Sequence, residues 1–515
     1  MSGRRREALA ALSGVLLFLS FPKFGHGAVA WVALAPLLMA IPGTSGWRAA
    51  RLGYVTGAVS AVGLLYWTAL VVVQYGGLPL PVAVLIMLAL CLVFSVFPAL
   101  FGWALGRVTA AFGVAGLGAA PFLWVATEIL RAKTLFQFPW CLLGYSQQGL
   151  PEMIQIAPVT AVYGVSFLIV LVSSLLALAA LEPRPSRRRA AAAAIGLLLA
   201  ATFGYGRWAM GRPPVETGRV TVGLVQGGIR QEDKWVPENA WQNVGRHLRL
   251  TEQAAAAGAR LVVWPESAVP FLFDEDAALA SMLREVAARR GIYLYFGNDD
   301  RERPDGVGRG RIYVGAKLLA PDGAVVARYR KNQLVPFGEY VPLQPLFTLG
   351  GRFAAKLVQE VSDFTPGTEA TTGAVDGHAI GGFICYEAIF PSLVRRFPAE
   401  GAELLVNVTN DAWYGTTSAP YQHLAMAAFR AVETRRYLVR AANTGITAVV
   451  DPFGRVEART RLFDATVLVR EVPFTAGETF YTRHGDVFAY ACLAVALAAL
   501  AAARGRRPAG FAAVA

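Results

Sequence analysis

The chain has 515 residues, 55% of them hydrophobic and 16% charged, with a mean hydropathy of +0.44. That length leaves room for more than one domain, and the apolar excess excludes an ordinary soluble protein and points to a membrane protein. The formal net charge of +13 raises nucleic-acid binding as a class, but that reading needs a basic face with interleaved aromatics on a water-exposed domain, and the sequence has none.

A run of about 20 apolar residues crosses a bilayer as a helix. Seven candidate runs come first, at roughly 7–22, 27–42, 50–74, 80–105, 112–131, 157–181 and 188–208, so residues 1–210 are expected to form a transmembrane domain. The first two are short enough to tilt or lie in the interface. The first follows Arg4, Arg5 and Arg6, but no small-residue cleavage site follows it and further runs come after, so it is not read as a signal peptide. Residues 219–478 carry ordinary charge and read as a water-exposed domain, and 484–503 form an eighth apolar run.

Basic residues set the orientation. With the N-terminus in the cytoplasm, the cytoplasmic segments hold Arg4, Arg5, Arg6, Arg48, Arg51, Arg107, Arg184, Arg187, Arg188, Arg189, Arg504, Arg506 and Arg507, and the short outer loops hold only Lys23, Arg131 and Lys133. Seven crossings then place residues 219–478 outside the cytoplasm, and an eighth returns the C-terminus. The strong basic balance is a topology signal.

Within 219–478, short β-branched runs alternate with helical patterns. "VTVGLVQ" (220–226) reads as a strand, 238–258 as a helix, "RLVVWPE" (260–266) as a buried strand stopping at Pro265, 276–290 as a helix and "IYLYFGN" (292–298) as a strand. "RIYVGAKLLAPDGAVVARYRK" (311–331) reads as two strands joined by a Pro-Asp-Gly turn. "HAIGGFICYE" and "AELLVNVTND" are further buried strands, 420–442 is one long helical pattern, and "ITAVVDPFGRVEAR" is a second hairpin. The mixture predicts a layered α/β sandwich with helices covering the sheets. "NVT" at 407–409 has the form of a glycosylation acceptor, but it lies in an apparent buried strand and is read as structural.

Of four cysteines, Cys91, Cys141 and Cys492 lie in apolar stretches and only Cys385 lies in the polar part. Alone, it is either a buried small hydrophobe or a reactive thiol. Its position argues for the second. Glu266 ends "LVVWPE", Lys331 ends "AVVARYRK" and Cys385 ends "GGFIC", so each marks the point where an apolar strand gives way to a loop. Strand ends on adjacent strands lie near each other, and active sites of α/β sheets collect there. Together the three residues supply a base, a cation for a developing oxyanion, and a nucleophile. Individually, Glu266 could be a helix-capping neighbour, Lys331 a solvated basic residue, and Glu339 in "PFGEYVP" a loop carboxylate.

Four stretches, "WPES" (264–267), "YRKNQLVPFGEYVP" (329–342), "GGFICYE" (381–387) and "NVTNDAWYG" (407–415), resemble the nitrilase superfamily with its Glu-Lys-Cys triad. With the flanking apolar runs, and with "TEILR" (127–131) and "FPWCLLGYSQ" (138–147), nearly the whole chain resembles bacterial apolipoprotein N-acyltransferases, the membrane-embedded branch of that superfamily. The resemblance implies a multi-span helical membrane domain joined to an α-β-β-α nitrilase-like sandwich. It implies Glu266 as general base, Lys331 as oxyanion stabiliser and Cys385 as the thioester-forming nucleophile, with Glu339, Tyr386 and Glu387 supporting them and Trp235 of "DKWVPE" at the site. That family commonly has Tyr-Asn in the strand before the lysine; here Tyr313 is followed by Val314, and the role of that asparagine is not carried over.

The resemblance further implies two membrane-anchored substrates: a phospholipid acyl donor, and an apolipoprotein whose N-terminal cysteine carries diacylglycerol on sulfur. The expected place is the bacterial inner membrane, with the catalytic domain on the periplasmic side. No metal or other cofactor is expected, because the five histidines are scattered. The segment 343–358, with Phe347 and Phe353 as lipid contacts, reads either as a membrane-facing lid or as a helix packed on the sheet. Two rival functions are a membrane-tethered amidase for small amides, and a transporter with a ligand-binding domain. The transporter expects ionisable residues along a membrane pathway, and the runs are nearly charge-free apart from Glu128 and Arg131.

Overall fold

The computed structural model describes residues 1–44, 46–134, 137–303, 310–341 and 364–506. It divides into two compact units. The first is Met1–Pro213 with Thr417–Phe429 and His484–Ala515; the second is Pro214–Thr416 with Arg430–Arg483.

The first unit is helical, as backbone in an apolar medium must be to satisfy its own hydrogen bonds. Among the described residues, four helical stretches are long and apolar enough to cross a membrane: Leu80–Lys133, Val162–Leu181, Pro185–Met210 and Val487–Arg504. The number becomes five if Gly46–Leu65 and Trp67–Gly76, bent by 50° against each other, form one span. The helix Gly3–Phe18 and the apolar stretch Gly27–Ala40 are shorter. The two membrane-half motifs meet inside this unit. Glu128 accepts from the Trp124 indole at 3.0 Å and from the backbone N–H of Leu143 at 2.8 Å, while Arg131 donates to the carbonyl of Trp140 at 3.1 Å. The polar pair of "TEILR" thus pins "FPWCLLGYSQ".

The second unit is built on two six-stranded sheets. In chain order its strands are β1 (Val215–Gln226), β2 (Leu261–Val263), β3 (Tyr293–Gly297), β4 (Asp300–Glu302), β5 (Arg311–Tyr313), β6 (Gly315–Leu319), β7 (Val325–Arg330), β8 (Thr372–Val375), β9 (His378–Ile384), β10 (Leu404–Thr409), β11 (Tyr437–Ala442), β12 (Ala448–Val450), β13 (Val456–Arg459) and β14 (Thr466–Ala476). The first sheet runs β14-β1-β2-β3-β6-β7 and the second β13-β12-β11-β10-β9-β8, with β4 and β5 forming a separate ribbon. The middle strands pair in parallel, β1 with β2 and β2 with β3 in one sheet, β9 with β10 and β10 with β11 in the other. Such strands are buried on both faces and read as continuous apolar runs.

The packing of β9 shows the layers. Gly381 and Phe383 face Phe397 on the short helix Arg396–Ala399. Gly382, one residue out of phase, faces Tyr295 of the first sheet so closely that a Cβ there would fall on the tyrosine hydroxyl. On the first sheet's other face, the helices Ala240–Ala256 and Ala277–Arg290 bury Val244, Leu250, Leu279 and Leu283 in one cluster with Trp264 and Phe296. Asp276 caps the second helix by accepting from Leu279, and Gly291 ends it at φ 61°.

Two expectations need correction. The helical reading of 420–442 holds only for Ala419–Thr434; Arg435 turns the chain left-handed at φ 54°, and Tyr437–Ala442 is strand β11. Its two buried faces hide the alternation that marks a strand. The two-strand reading of 311–331 becomes three strands, because β5 leaves to pair with β4 before β6 and β7 form their hairpin.

Candidate active site

Glu266, Lys331 and Cys385 each follow a strand end: β2 by way of Trp264-Pro265, β7 and β9 directly. These strands are not neighbours. β2 and β7 are separated in the first sheet by β3 and β6, and β9 belongs to the second sheet. The site assembles across the sandwich and not along one sheet, which corrects the expectation that these ends come from adjacent strands.

Lys331 is fully buried. Its ammonium donates to Glu266 Oε1 at 3.0 Å and Glu339 Oε1 at 2.6 Å, and no other acceptor takes its third proton among the described residues. Burial pulls its pKa down, but the charges of Glu266 and Glu339 overcome that and hold it well above the ordinary lysine value. Lys331 therefore remains a cation throughout the neutral range. The second oxygen of Glu266 accepts from the backbone N–H of Asn410 at 2.9 Å. The second oxygen of Glu339 accepts from Val335 at 2.9 Å, folding the loop back onto the lysine. Burial raises the Glu339 carboxyl above its usual range.

Cys385 is buried and starts a short 3₁₀ turn, Cys385–Ile389, with φ 48°. Ser267, next to Glu266, has φ 41°. Left-handed backbone at a non-glycine residue costs on the order of 1–3 kcal/mol and persists only where its surroundings enforce it. Both strained positions lie at this site. Burial pushes the thiol pKa up, the charge of Glu266 adds to that, and Lys331 opposes it. The thiol is thus protonated at rest, with a carboxylate and a buried ammonium in its field.

Glu387 ties two of the strand ends together. One oxygen accepts from Tyr329 Oη at 2.7 Å and from the N–H groups of Asn332 at 2.6 Å and Gln333 at 3.1 Å; the other accepts from Ile384 N at 2.7 Å. The loop after Lys331 and the turn at Cys385 are held by one side chain. Burial nonetheless pushes the Glu387 carboxyl up to about 7. Tyr386 is buried and edge-on to Phe390 at 5.1 Å. Val314 is buried and serves the site through its main chain, accepting from the N–H of Lys331 at 2.8 Å.

Comparison with known proteins places this geometry in context. The family model for carbon-nitrogen hydrolases matches residues 221–480, and that for the apolipoprotein N-acyltransferase N-terminal domain matches residues 13–175. An apolipoprotein N-acyltransferase of Geobacter metallireducens is 43% identical over 506 residues, covering 97% of this chain and 95% of the relative. That of Methylococcus capsulatus is 36% identical over 486 residues, covering 93% and 92%. The chain belongs to the apolipoprotein N-acyltransferase family. Among solved structures, an amidase from Nesterenkonia sp. is 23% identical with a TM-score of 0.38, covering 53% of this chain and 95% of that one.

Other residues singled out in this apolipoprotein N-acyltransferase family member fall differently. Trp235 is half exposed, its ring 5.4 Å from the Lys234 ammonium. Phe347, Phe353 and the whole segment 343–358 lie outside the described residues. Asn407 of "NVT" is fully buried in β10, donating to the carbonyl of Phe383. Asn410, Tyr329 and Lys234 hold the site and were not singled out from the sequence. Asn410 acts through its backbone, which no residue pattern discloses. Tyr329, near the end of β7, sits two residues before Lys331, and both are buried while Arg330 between them is not, a period-2 spacing legible in the sequence.

Proposed function

We propose that this protein transfers a fatty acyl chain from a membrane phospholipid to the α-amino group of the S-diacylglyceryl cysteine of an apolipoprotein, through a thioester on Cys385. The observation that carries the reading is the Lys331 ammonium bridging Glu266 and Glu339 beside the strained strand end of Cys385, in a chain of this family.

In the first half-reaction Glu266 takes the thiol proton and the sulfur attacks the ester carbonyl. The uncommitted N–H of Lys331 faces the oxygen that becomes negative. Collapse breaks the ester C–O bond, Glu266 returns its proton to the departing alkoxide, and a lysophospholipid leaves. In the second half the amine attacks the thioester, Glu266 takes a proton from nitrogen, and the C–S bond breaks. An amide forms and the proton returns to sulfur. Glu339 orients Lys331, Glu387 aligns the two loops, and Tyr386 packs behind the nucleophile.

We further propose that residues 1–210 cross the inner membrane seven times and 484–503 once, with residues 219–478 on the periplasmic side. The basic-residue asymmetry supports this. Hydrolysis of small amides by a tethered amidase is disfavoured by full-length similarity to N-acyltransferases, and nothing favours a transporter.

Intact-mass measurement after incubation with phospholipid tests the chemistry. The wild-type protein should gain one acyl group on Cys385, and Cys385→Ser should gain no thioester and lose transfer. A serine variant with near-normal transfer overturns the covalent mechanism.

A further inference from the structure

Lys234 ends the single helical turn Gln231–Lys234, and its side chain is 2% exposed. The ammonium donates to the main-chain carbonyl of Glu266 at 3.1 Å and has no other hydrogen-bond acceptor among the described residues. Burying an ammonium with one acceptor for three protons is costly to the fold. Lys234 is also held in place. Gln231 accepts from the Asn410 side chain at 2.8 Å, and the backbone of Asn410 holds the Glu266 carboxylate. Glu266 is therefore gripped at three points: its two carboxylate oxygens by Lys331 and Asn410, and its carbonyl by Lys234.

The charges point the same way. Lys331 lies between two carboxylates and matches one of them. A thiolate at Cys385 would add a further negative charge to a buried site. Lys234 is a second ammonium at this site. The charged and titratable groups in its field are Glu266, Asp299, Cys385 and His247. Asp299 accepts from Ser267 at 2.8 Å, and burial raises its carboxyl above the usual range. Burial holds His247 down to about 4, so that ring is neutral.

We infer that Lys234 is a positioning residue of this site, a second buried ammonium that fixes the backbone of Glu266 and favours the Cys385 thiolate through the low-dielectric interior. This rests on Cys385 being the nucleophile. Burial brings the Lys234 pKa down to about 8. The charge is present at neutral pH and lost above that value. Below pH 8 the thiolate fraction should rise tenfold per pH unit. From about pH 8 it should level off, because the proton lost from Lys234 removes the field that favoured the thiolate, and for a tenfold coupling the rise resumes about one pH unit higher.

The test is the alkylation rate of Cys385 by iodoacetamide in the purified full chain between pH 6 and 10, read at the Cys385 peptide by mass spectrometry. The wild-type rate should flatten from about pH 8 for about one pH unit and then rise again. Lys234→Met should lose the plateau and react about tenfold or more slowly at pH 7, the effect of one pKa unit. Lys234→Arg, which stays charged, should keep the neutral rate without the plateau. A wild-type profile with no break near pH 8, or a Lys234→Met variant with the wild-type profile, overturns the inference. The wild-type profile decides the matter even if a variant fails to fold. Loss of transfer in Cys385→Ser alongside an unchanged Lys234→Met profile sinks only the role of Lys234; transfer that survives in Cys385→Ser sinks the nucleophile reading itself.

Discussion

At the scale of single residues, the Glu266–Lys331–Glu339 cluster combines two like charges with one opposite charge in a buried space. Removing the cation leaves two carboxylates facing each other, and breaking a buried pair from one side costs about 3–5 kcal/mol. Lys331→Ala should therefore lower the melting temperature as well as slow thioester formation by about 10²–10⁴. Adding Glu339→Gln should recover much of the stability and little of the rate. Melting curves and single-turnover acylation read the two effects apart; recovery of both together would mean that Lys331 acts only as packing. The sequence showed the triad candidates because each stands where an apolar run stops. It did not show Lys234, which follows Glu232 and Asp233 and so reads as part of a solvated charged turn.

At the scale of elements, the Gly-Gly of β9 has a steric meaning. Gly382 lets the two sheets close over Tyr295, and a methyl group has no space there. Gly382→Ala should destabilise by about 1–3 kcal/mol, the usual effect of overpacking. Tyr295→Phe should relieve part of that, since only the hydroxyl is removed. Chemical denaturation of the single and double variants gives the coupling, and additive effects would mean the sheets do not meet at this point. Glu387 gives a second test. Glu387→Ala strands four donors, each worth about 1–3 kcal/mol if buried without a partner. Amide exchange at Ile384, Asn332 and Gln333 should rise sharply while β1 stays protected; protection that persists at all three would show the bracket to be dispensable. The strands and turns were largely legible through Pro265, the Pro-Asp-Gly turn and the apolar runs. The pairing of strand ends across two sheets was not, because periodicity reports which face of a strand is buried and not which sheet covers it.

At the scale of the whole molecule, the apolar runs argue for an integral membrane protein, and the proposed topology puts residues 219–478 outside the cytoplasm. A periplasm-active reporter fused after Gly218 should be active, and a cytoplasm-active reporter at the C-terminus should also be active. Activity of a cytoplasmic reporter after Gly218 would place residues 219–478 on the wrong side for lipoproteins.

The strand order carries a consequence for synthesis. β1 is flanked by β2, which follows soon after it, and by β14, the last strand of the fold, which pairs with it along nearly its whole length from Val215↔Ala476 to Gln226↔Thr466. A chain emerging from the ribosome therefore displays Glu266, Lys331 and even Cys385 before the sheet that carries the first two has its border. The apolar runs of the first 210 residues emerge earlier still. An unfinished or truncated chain thus leaves β1 with one long edge open, and only the last strand made closes that border of the sheet.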